Sequence, residues 1–188
     1  MNLTLWYLSR ATGVVSLVLL TVVLVLGVLT SGRRRPHGEH ATVVMGIHRW
    51  LSLGLVAFLL THVATAVVET YVTIDLVSAV VPFTSGYEPL WVGFGTVAFD
   101  LLVAVAVTSW ARHRIPERAW RVVHYAAYLL WPVALVHGFV LGTSDEPLLR
   151  GVTALCGIVG VGMILWRLLA LPHPDRDRRD AVLEQEWS

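Results

Sequence analysis

Residues 45–68 read MGIHRWLSLGLVAFLLTHVATAVV, an apolar run that contains two histidines, His48 and His62, fourteen positions apart. A helix rises ~1.5 Å per residue, so a run of this length can cross the ~30 Å hydrocarbon core of a bilayer. An ionisable side chain inside a membrane is costly to bury there. Both histidines are therefore candidate functional residues, and imidazole is a common ligand of metal ions and of haem iron.

A second run has the same character. Residues 119–141 read AWRVVHYAAYLLWPVALVHGFVL, with His124 and His137 thirteen positions apart. This run is also long enough to span a membrane as a helix. The chain thus has two predicted membrane helices that each contain a pair of widely spaced histidines.

The composition of the whole chain is that of a membrane protein. Of its 188 residues, 56% are hydrophobic and 14% are charged, whereas a soluble domain has about 25% charged residues. Long continuous apolar blocks exclude barrel strands, so we expect an all-α, polytopic membrane helical bundle with five transmembrane helices. The five blocks that predict these helices are residues 5–29, 42–68, 90–111, 119–141 and 148–170.

The arginines predict the orientation. All fourteen basic residues are arginine, and twelve fall in the segments on one side of the predicted bundle. By the positive-inside rule that side is cytoplasmic, so the N-terminus lies outside and the C-terminus lies in the cytoplasm. We expect residues 1–171 to form the membrane domain and residues 172–188 a charged cytoplasmic tail. The partners include membrane lipid, while a net charge of +1 argues against nucleic acid.

The four histidines are predicted to form two levels. Helices two and four run in the same direction, so His48 and His124 lie near the cytoplasmic end, and His62 and His137 near the outer end. Fourteen residues rise ~21 Å and thirteen rise ~20 Å, so the pairs match in depth. A zinc or copper site usually needs three or four protein ligands, whereas two imidazoles complete the axial positions of a haem iron. Such an iron carries electrons and has no vacant position for a substrate.

The angular positions of the two histidines around the helix axis agree on the second helix but not on the fourth. At ~100° per residue, His48 and His62 point within ~40° of each other, but His124 and His137 end ~140° apart on an ideal helix. Either the fourth helix is distorted or the two haems approach it from different sides. Pro132 is the candidate cause of a distortion, because proline removes a helical hydrogen bond and kinks the axis.

Three arginines are candidate ligands for the anionic propionates of haem. Arg49 and Arg121 adjoin the predicted inner histidines, and Arg10 lies in the first helix near the outer pair. For Arg49 and Arg121, a role in topology and phospholipid contact is an equal alternative. Asp100, midway along the third helix, either takes part in electron transfer or joins helices through a hydrogen bond. The other histidines are predicted to be surface residues: His37, His40, His113 and His173.

The motifs around these residues resemble one family. Trp6-Tyr-Leu-Ser-Arg10-Ala-Thr-Gly13 is similar to the first helix of small bacterial members of the ferric reductase-like transmembrane domain family. Trp120-Arg-Val-Val-His124-Tyr and Trp131-Pro-Val-Ala-Leu-Val-His137-Gly138 are similar to its histidine helix. The resemblance covers residues 5–169. The family includes ferric reductases, NADPH oxidase membrane domains and the haem-binding subunit of the methionine sulfoxide reductase system.

The resemblance implies two b-type haems in a bacterial plasma membrane, one ligated by His48 and His124 and the other by His62 and His137. The chain differs from larger members in having five predicted helices and no flavin or nicotinamide site. We therefore expect a dihaem cytochrome b that serves as the electron-transfer component of an oxidoreductase, without catalytic residues of its own. The donor would be a cytoplasmic flavoprotein reductase or a membrane quinol, and the external acceptor a ferric chelate, oxygen or an oxidised protein. The alternatives are a quinol-linked cytochrome b subunit of a larger complex and a non-redox haem-sensing or structural subunit.

Overall fold

The computed structural model describes residues 3–30, 39–69, 72, 74–142 and 146–169. Every regular element in these residues is helical, and five segments are long and apolar enough to cross a membrane. The prediction of an all-α, multi-pass membrane bundle is thus confirmed. The predicted tail, residues 172–188, lies outside the described residues. The helices are α1 (Leu3–Thr30), α2 (Glu39–Val68), α3 (Pro89–Trp110), α4 (Glu117–Tyr125), α5 (Ala127–Leu141) and α6 (Pro147–Leu169), with a 3-10 turn at Arg112–Arg114.

Hydroxyl side chains of α1 are satisfied by the helix itself. In lipid no water is available, so each hydroxyl needs an acceptor within the protein. On α1 the hydroxyl of Ser16 donates to the carbonyl of Thr12, at 2.8 Å. Thr21 donates in the same way to Leu17, also at 2.8 Å. A sequence with scattered Ser and Thr can therefore remain one continuous membrane helix.

The core of the bundle lies between the two histidine levels and centres on Trp131. This residue of α5 is only 2% exposed, and its indole N–H donates to the hydroxyl of Thr21 on α1, at 3.0 Å. The other face of the ring lies against Gly160 of α6, where any side chain would overlap it. Trp131 therefore joins three helices. The buried residues of this core are Leu20, Leu24, Leu55, Ala98, Leu102, Leu130 and Trp131.

The fourth predicted helix is interrupted at Ala126, so it consists of α4 and α5. The Ala126 N–H donates to the carbonyl of Val123, three residues back, at 3.0 Å, which is the contact of a 3-10 turn. A 3-10 turn rotates the chain ~120° per residue where an α-helix rotates it ~100°. The extra rotation turns His137 back towards the face that carries His124.

The helix is interrupted at Ala126, whereas the distortion was predicted at Pro132. α5 runs through Pro132 without a break. Proline has no N–H for the carbonyl four residues before it, and its ring crowds that carbonyl. That carbonyl belongs to Tyr128, in the first turn of α5, which directly follows the interruption.

Residues 74–88 fold back over one end of the bundle, which we call the loop end. The Asp75 carboxylate accepts hydrogen bonds from the backbone N–H and the hydroxyl of Ser78, and these hold the pKa of Asp75 below its usual value. The Thr96 hydroxyl on α3 donates to the Ser78 carbonyl at 2.7 Å. Phe83, with a positive φ of 67°, places its ring over Gly93 of α3. The opposite end carries Arg112, Arg114 and Arg118, and we call it the arginine end.

Gly160 and Gly162 of α6 provide a matched test of the core. We expect Gly160→Ala to lower the melting temperature in detergent, because the new methyl overlaps Trp131 and overpacking costs about 1–3 kcal/mol. At Gly162 no atom lies within 4 Å of the added methyl, so Gly162→Ala gains only the better helix propensity of alanine. Equal melting temperatures for the two variants would contradict the packing of Trp131 described above.

Candidate functional site

The four histidines face each other in two pairs. His48 on α2 and His124 on α4 have ring centres 6.5 Å apart, with an angle of 58° between the ring planes. His62 on α2 and His137 on α5 have ring centres 6.4 Å apart, with an angle of 77°. The first pair lies towards the arginine end and the second towards the loop end.

These separations fit a single metal ion between the two rings. A metal–imidazole bond is about 2 Å long. In a five-membered ring with C–N bonds near ~1.33 Å, each nitrogen lies ~1.1 Å from the ring centre. Two axial imidazoles on one ion then have ring centres about 6.3 Å apart, close to the observed 6.5 and 6.4 Å. Among the described residues, no group of three or more His, Cys, Asp or Glu side chains could hold a metal ion. The available donor set at each level is therefore two imidazoles.

The loop-end pair is oriented by main-chain hydrogen bonds. Nδ1 of His62 lies 2.7 Å from the carbonyl oxygen of Ser9, and Nδ1 of His137 lies 2.8 Å from that of Trp91. A carbonyl can only accept, so each Nδ1 must carry the proton and donate it. The lone pair is then on Nε2. Histidines that bind metals usually donate their other ring nitrogen in this way, which fixes both tautomer and ring orientation.

The arginine-end pair has a different environment. Nδ1 of His48 and Nδ1 of His124 are buried, and neither has a hydrogen-bond partner among the described residues. Trp120 stacks on His124, with ring centres 4.9 Å apart and ring planes 24° apart. The guanidinium carbon of Arg112 lies 4.5 Å from the centre of the Trp120 ring. An aromatic ring and a cation thus lie at this level beside His124.

Two glycines of α1 make room for the histidines of α2. A side chain at Gly13 would place its Cβ 2.9 Å from Cε1 of His62, and one at Gly27 would place it 3.7 Å from Cε1 of His48. The glycines are fourteen positions apart, the same spacing as the two histidines. Because α1 and α2 are antiparallel neighbours, equal spacing puts one glycine at each level. This equality of spacing was a signal in the sequence that we did not use.

A third glycine has the same role on α3. A Cβ at Gly95 would overlap the ring of His137. Gly95 lies one turn after Trp91, whose carbonyl accepts the hydrogen bond of the same histidine. One turn of α3 therefore sets both the position and the tautomer of His137.

A cavity of about 280 Å³ adjoins the loop-end pair. It is lined by both histidines of the pair and by Arg10 and Arg150. The Arg10 guanidinium carbon lies 4.0 Å from the centre of the Trp6 ring, and its Nη1 donates to the Leu141 carbonyl at 3.5 Å. Arg150 was not among the candidate residues. The structure thus places two cations beside this histidine pair.

The other predicted polar residues are exposed or partly exposed. Arg49 is exposed, and Arg121 is exposed and forms an ion pair with Glu117, one turn earlier on α4. The arginine that contacts an aromatic neighbour of His124 is Arg112, which the sequence reasoning did not single out. Asp100 is partly exposed, on the face of α3 that also carries the exposed Val107.

Comparison with known proteins gives one match. The family model for the ferric reductase like transmembrane component matches residues 12–135, more than half of the chain. The match includes His48, His62 and His124, and it ends two residues before His137. No curated protein sequence and no solved structure matches the chain significantly. On the family match, this chain belongs to the ferric reductase-like transmembrane component family.

Proposed function

We propose that this chain is a dihaem b-type cytochrome, the membrane electron-transfer component of an oxidoreductase. Membership of a family whose members typically bind haem supports this proposal. The single observation that carries it is the separation of the facing imidazoles, 6.5 and 6.4 Å between ring centres. Bound haem would supply a one-electron carrier that alternates between ferric and ferrous iron.

The residues at the loop-end pair have the chemistry that a haem requires. Nε2 of His62 and of His137 would be the axial ligands, because their Nδ1 atoms already donate to carbonyls. Arg10 and Arg150 line the adjoining cavity and would neutralise the carboxylates of the porphyrin. His48 and His124 would be the axial ligands at the other level. With two protein ligands on each iron, neither haem keeps a position for a diatomic gas, which argues against a gas sensor.

The direction of transfer rests on the distribution of charge. Arg112, Arg114 and Arg118 cluster at the arginine end, which the positive-inside rule places in the cytoplasm. The level of His48 and His124 would then face the electron donor, a cytoplasmic flavoprotein reductase or a membrane quinol. The level of His62 and His137, about 20 Å away along the helices, would face an external acceptor such as a ferric chelate, oxygen or an oxidised protein.

Haem content tests the proposal directly. We expect the purified chain to bind two haems, with six-coordinate low-spin spectra that change on reduction. His62→Ala should lose the loop-end haem and keep the other, so that the haem content falls by half. His40→Ala is the matched control, because His40 is an exposed histidine of the same helix, and its haem content should stay unchanged. A chain that binds no haem, or a His62→Ala variant that retains two low-spin haems, would overturn the proposal.

Gly95 tests the geometry of the loop-end site without touching a ligand. In Gly95→Ala the new methyl overlaps the His137 ring, so the imidazole must move away from the iron. We expect weaker haem binding at this level and a high-spin, five-coordinate fraction in the absorption and paramagnetic resonance spectra. Gly54→Ala is the control, because no atom lies within 4 Å of its added methyl. Identical spectra for both variants would contradict the contact between Gly95 and His137.

A further inference from the structure

Three buried nitrogens at the arginine end have no hydrogen-bond partner among the described residues. They are Nδ1 of His48, Nδ1 of His124 and Nε1 of Trp120. An unsatisfied buried polar group is destabilising, and such groups are rare in native proteins. If both histidines bind iron through Nε2, each Nδ1 carries a proton, and the indole nitrogen is always a donor. This level therefore presents donors for which the described part of the chain offers no acceptor.

The lack of partners is specific to this level. At the loop end both histidines donate to main-chain carbonyls, those of Ser9 and Trp91. The bundle can thus supply backbone acceptors to buried imidazoles. At the arginine end the backbone of Val23 lies near His48 but does not meet the geometry of a hydrogen bond. The unpaired donors at the arginine end are a local feature. Each histidine Nδ1 points away from a metal held at Nε2, so the Trp120 N–H is the donor that a ligand bound there would serve.

The charge at this level favours an anionic acceptor. The Arg112 guanidinium lies over one face of the Trp120 ring, at 4.5 Å, and His124 stacks on the same indole at 4.9 Å. A cation over the ring polarises it and makes the N–H a stronger donor, and its charge stabilises a nearby carboxylate. Arg121, by contrast, already pairs with Glu117. Trp120 and Arg112 are therefore the residues at this level that are placed to bind an anionic acceptor.

We propose that Nε1 of Trp120 donates a hydrogen bond to a carboxylate oxygen of the haem held between His48 and His124, with Arg112 supplying the compensating charge. Trp120 is then a positioning residue. Its ring fixes the plane of the axial His124 by stacking, and its N–H fixes the edge of the porphyrin. The inference rests on the proposed function, because it requires haem at this level. Ordered water is the other source of an acceptor oxygen, and the two sources give different results below.

Titration with two iron porphyrins distinguishes a haem carboxylate from ordered water as the acceptor. Haem b carries two carboxylates, whereas an iron porphyrin with alkyl groups in place of the propionates carries none. Trp120→Phe keeps an aromatic ring on His124 and removes only the N–H donor. We expect Trp120→Phe to raise the dissociation constant for haem b about tenfold, the effect of losing one hydrogen bond to a charged group. With the alkyl porphyrin the unmodified chain and the variant should bind equally well.

The titrations use the full chain and, in parallel, the His62→Ala background, in which only the arginine-end haem is expected. Trp110→Phe is the matched control, because Trp110 lies at the same end of the bundle and is 81% exposed. An equal loss of affinity with both porphyrins would identify water as the acceptor and overturn the inference. An unmodified chain that binds neither porphyrin would instead overturn the proposed function.

The midpoint potential gives a second readout that does not depend on Trp120 variants folding. Removing a positive charge near an iron favours the ferric state, so Arg112→Gln should lower the midpoint potential of the arginine-end haem. Arg114→Gln removes a neighbouring exposed charge from the same 3-10 turn and should change this potential less. With the alkyl porphyrin the difference between the two variants should shrink, since no carboxylate remains for Arg112 to stabilise. Equal shifts for both arginine variants with haem b would also overturn the inference.

Discussion

The separation between facing imidazoles, 6.5 Å at one level and 6.4 Å at the other, is the constraint on which the rest of the bundle depends. Two helices can present rings at this distance only if their neighbours leave room for them. Gly13 on α1 and Gly95 on α3 provide that room at the loop end. The interruption at Ala126 adds the rotation that brings His137 round to its partner. Each of these features is explained by the positions of the histidines.

The two histidine pairs are packed at similar ring separations but have chemically different surroundings. At the loop end the polypeptide satisfies its own imidazoles through the carbonyls of Ser9 and Trp91. At the arginine end an indole stacks on His124, a guanidinium lies over that indole, and the Nδ1 atoms have no hydrogen-bond partner among the described residues. Hydrogen bonds from Nδ1 to carbonyls make an imidazole a stronger electron donor to its metal, whereas a nearby cation stabilises the reduced state. The residues around the two histidine pairs would therefore have different effects on the reduction potential of a bound metal.

Much of the fold could be predicted because the membrane leaves few alternatives. In lipid every backbone group must be paired within its own helix, so a long apolar block is a helix whatever its neighbours are. The helix α2, predicted from residues 42–68, is observed at Glu39–Val68. The division of residues 119–141 into α4 and α5 was not predicted in place, because Pro132 acts on the turn before it. The role of Arg112 was also missed, since Arg121 is nearer to His124 in the sequence but pairs with Glu117.

The sequence by itself determined the number of membrane helices, the depths of the four histidines and the two levels at which they lie. These follow from a fixed rise per residue and from the cost of burying polar groups in lipid. Only the tertiary structure decided which nitrogen of His62 and His137 is free and which arginine lies beside His124 through Trp120. Those features depend on contacts between helices distant in the chain, and the periodicity of one helix does not fix which of its faces meets a given neighbour.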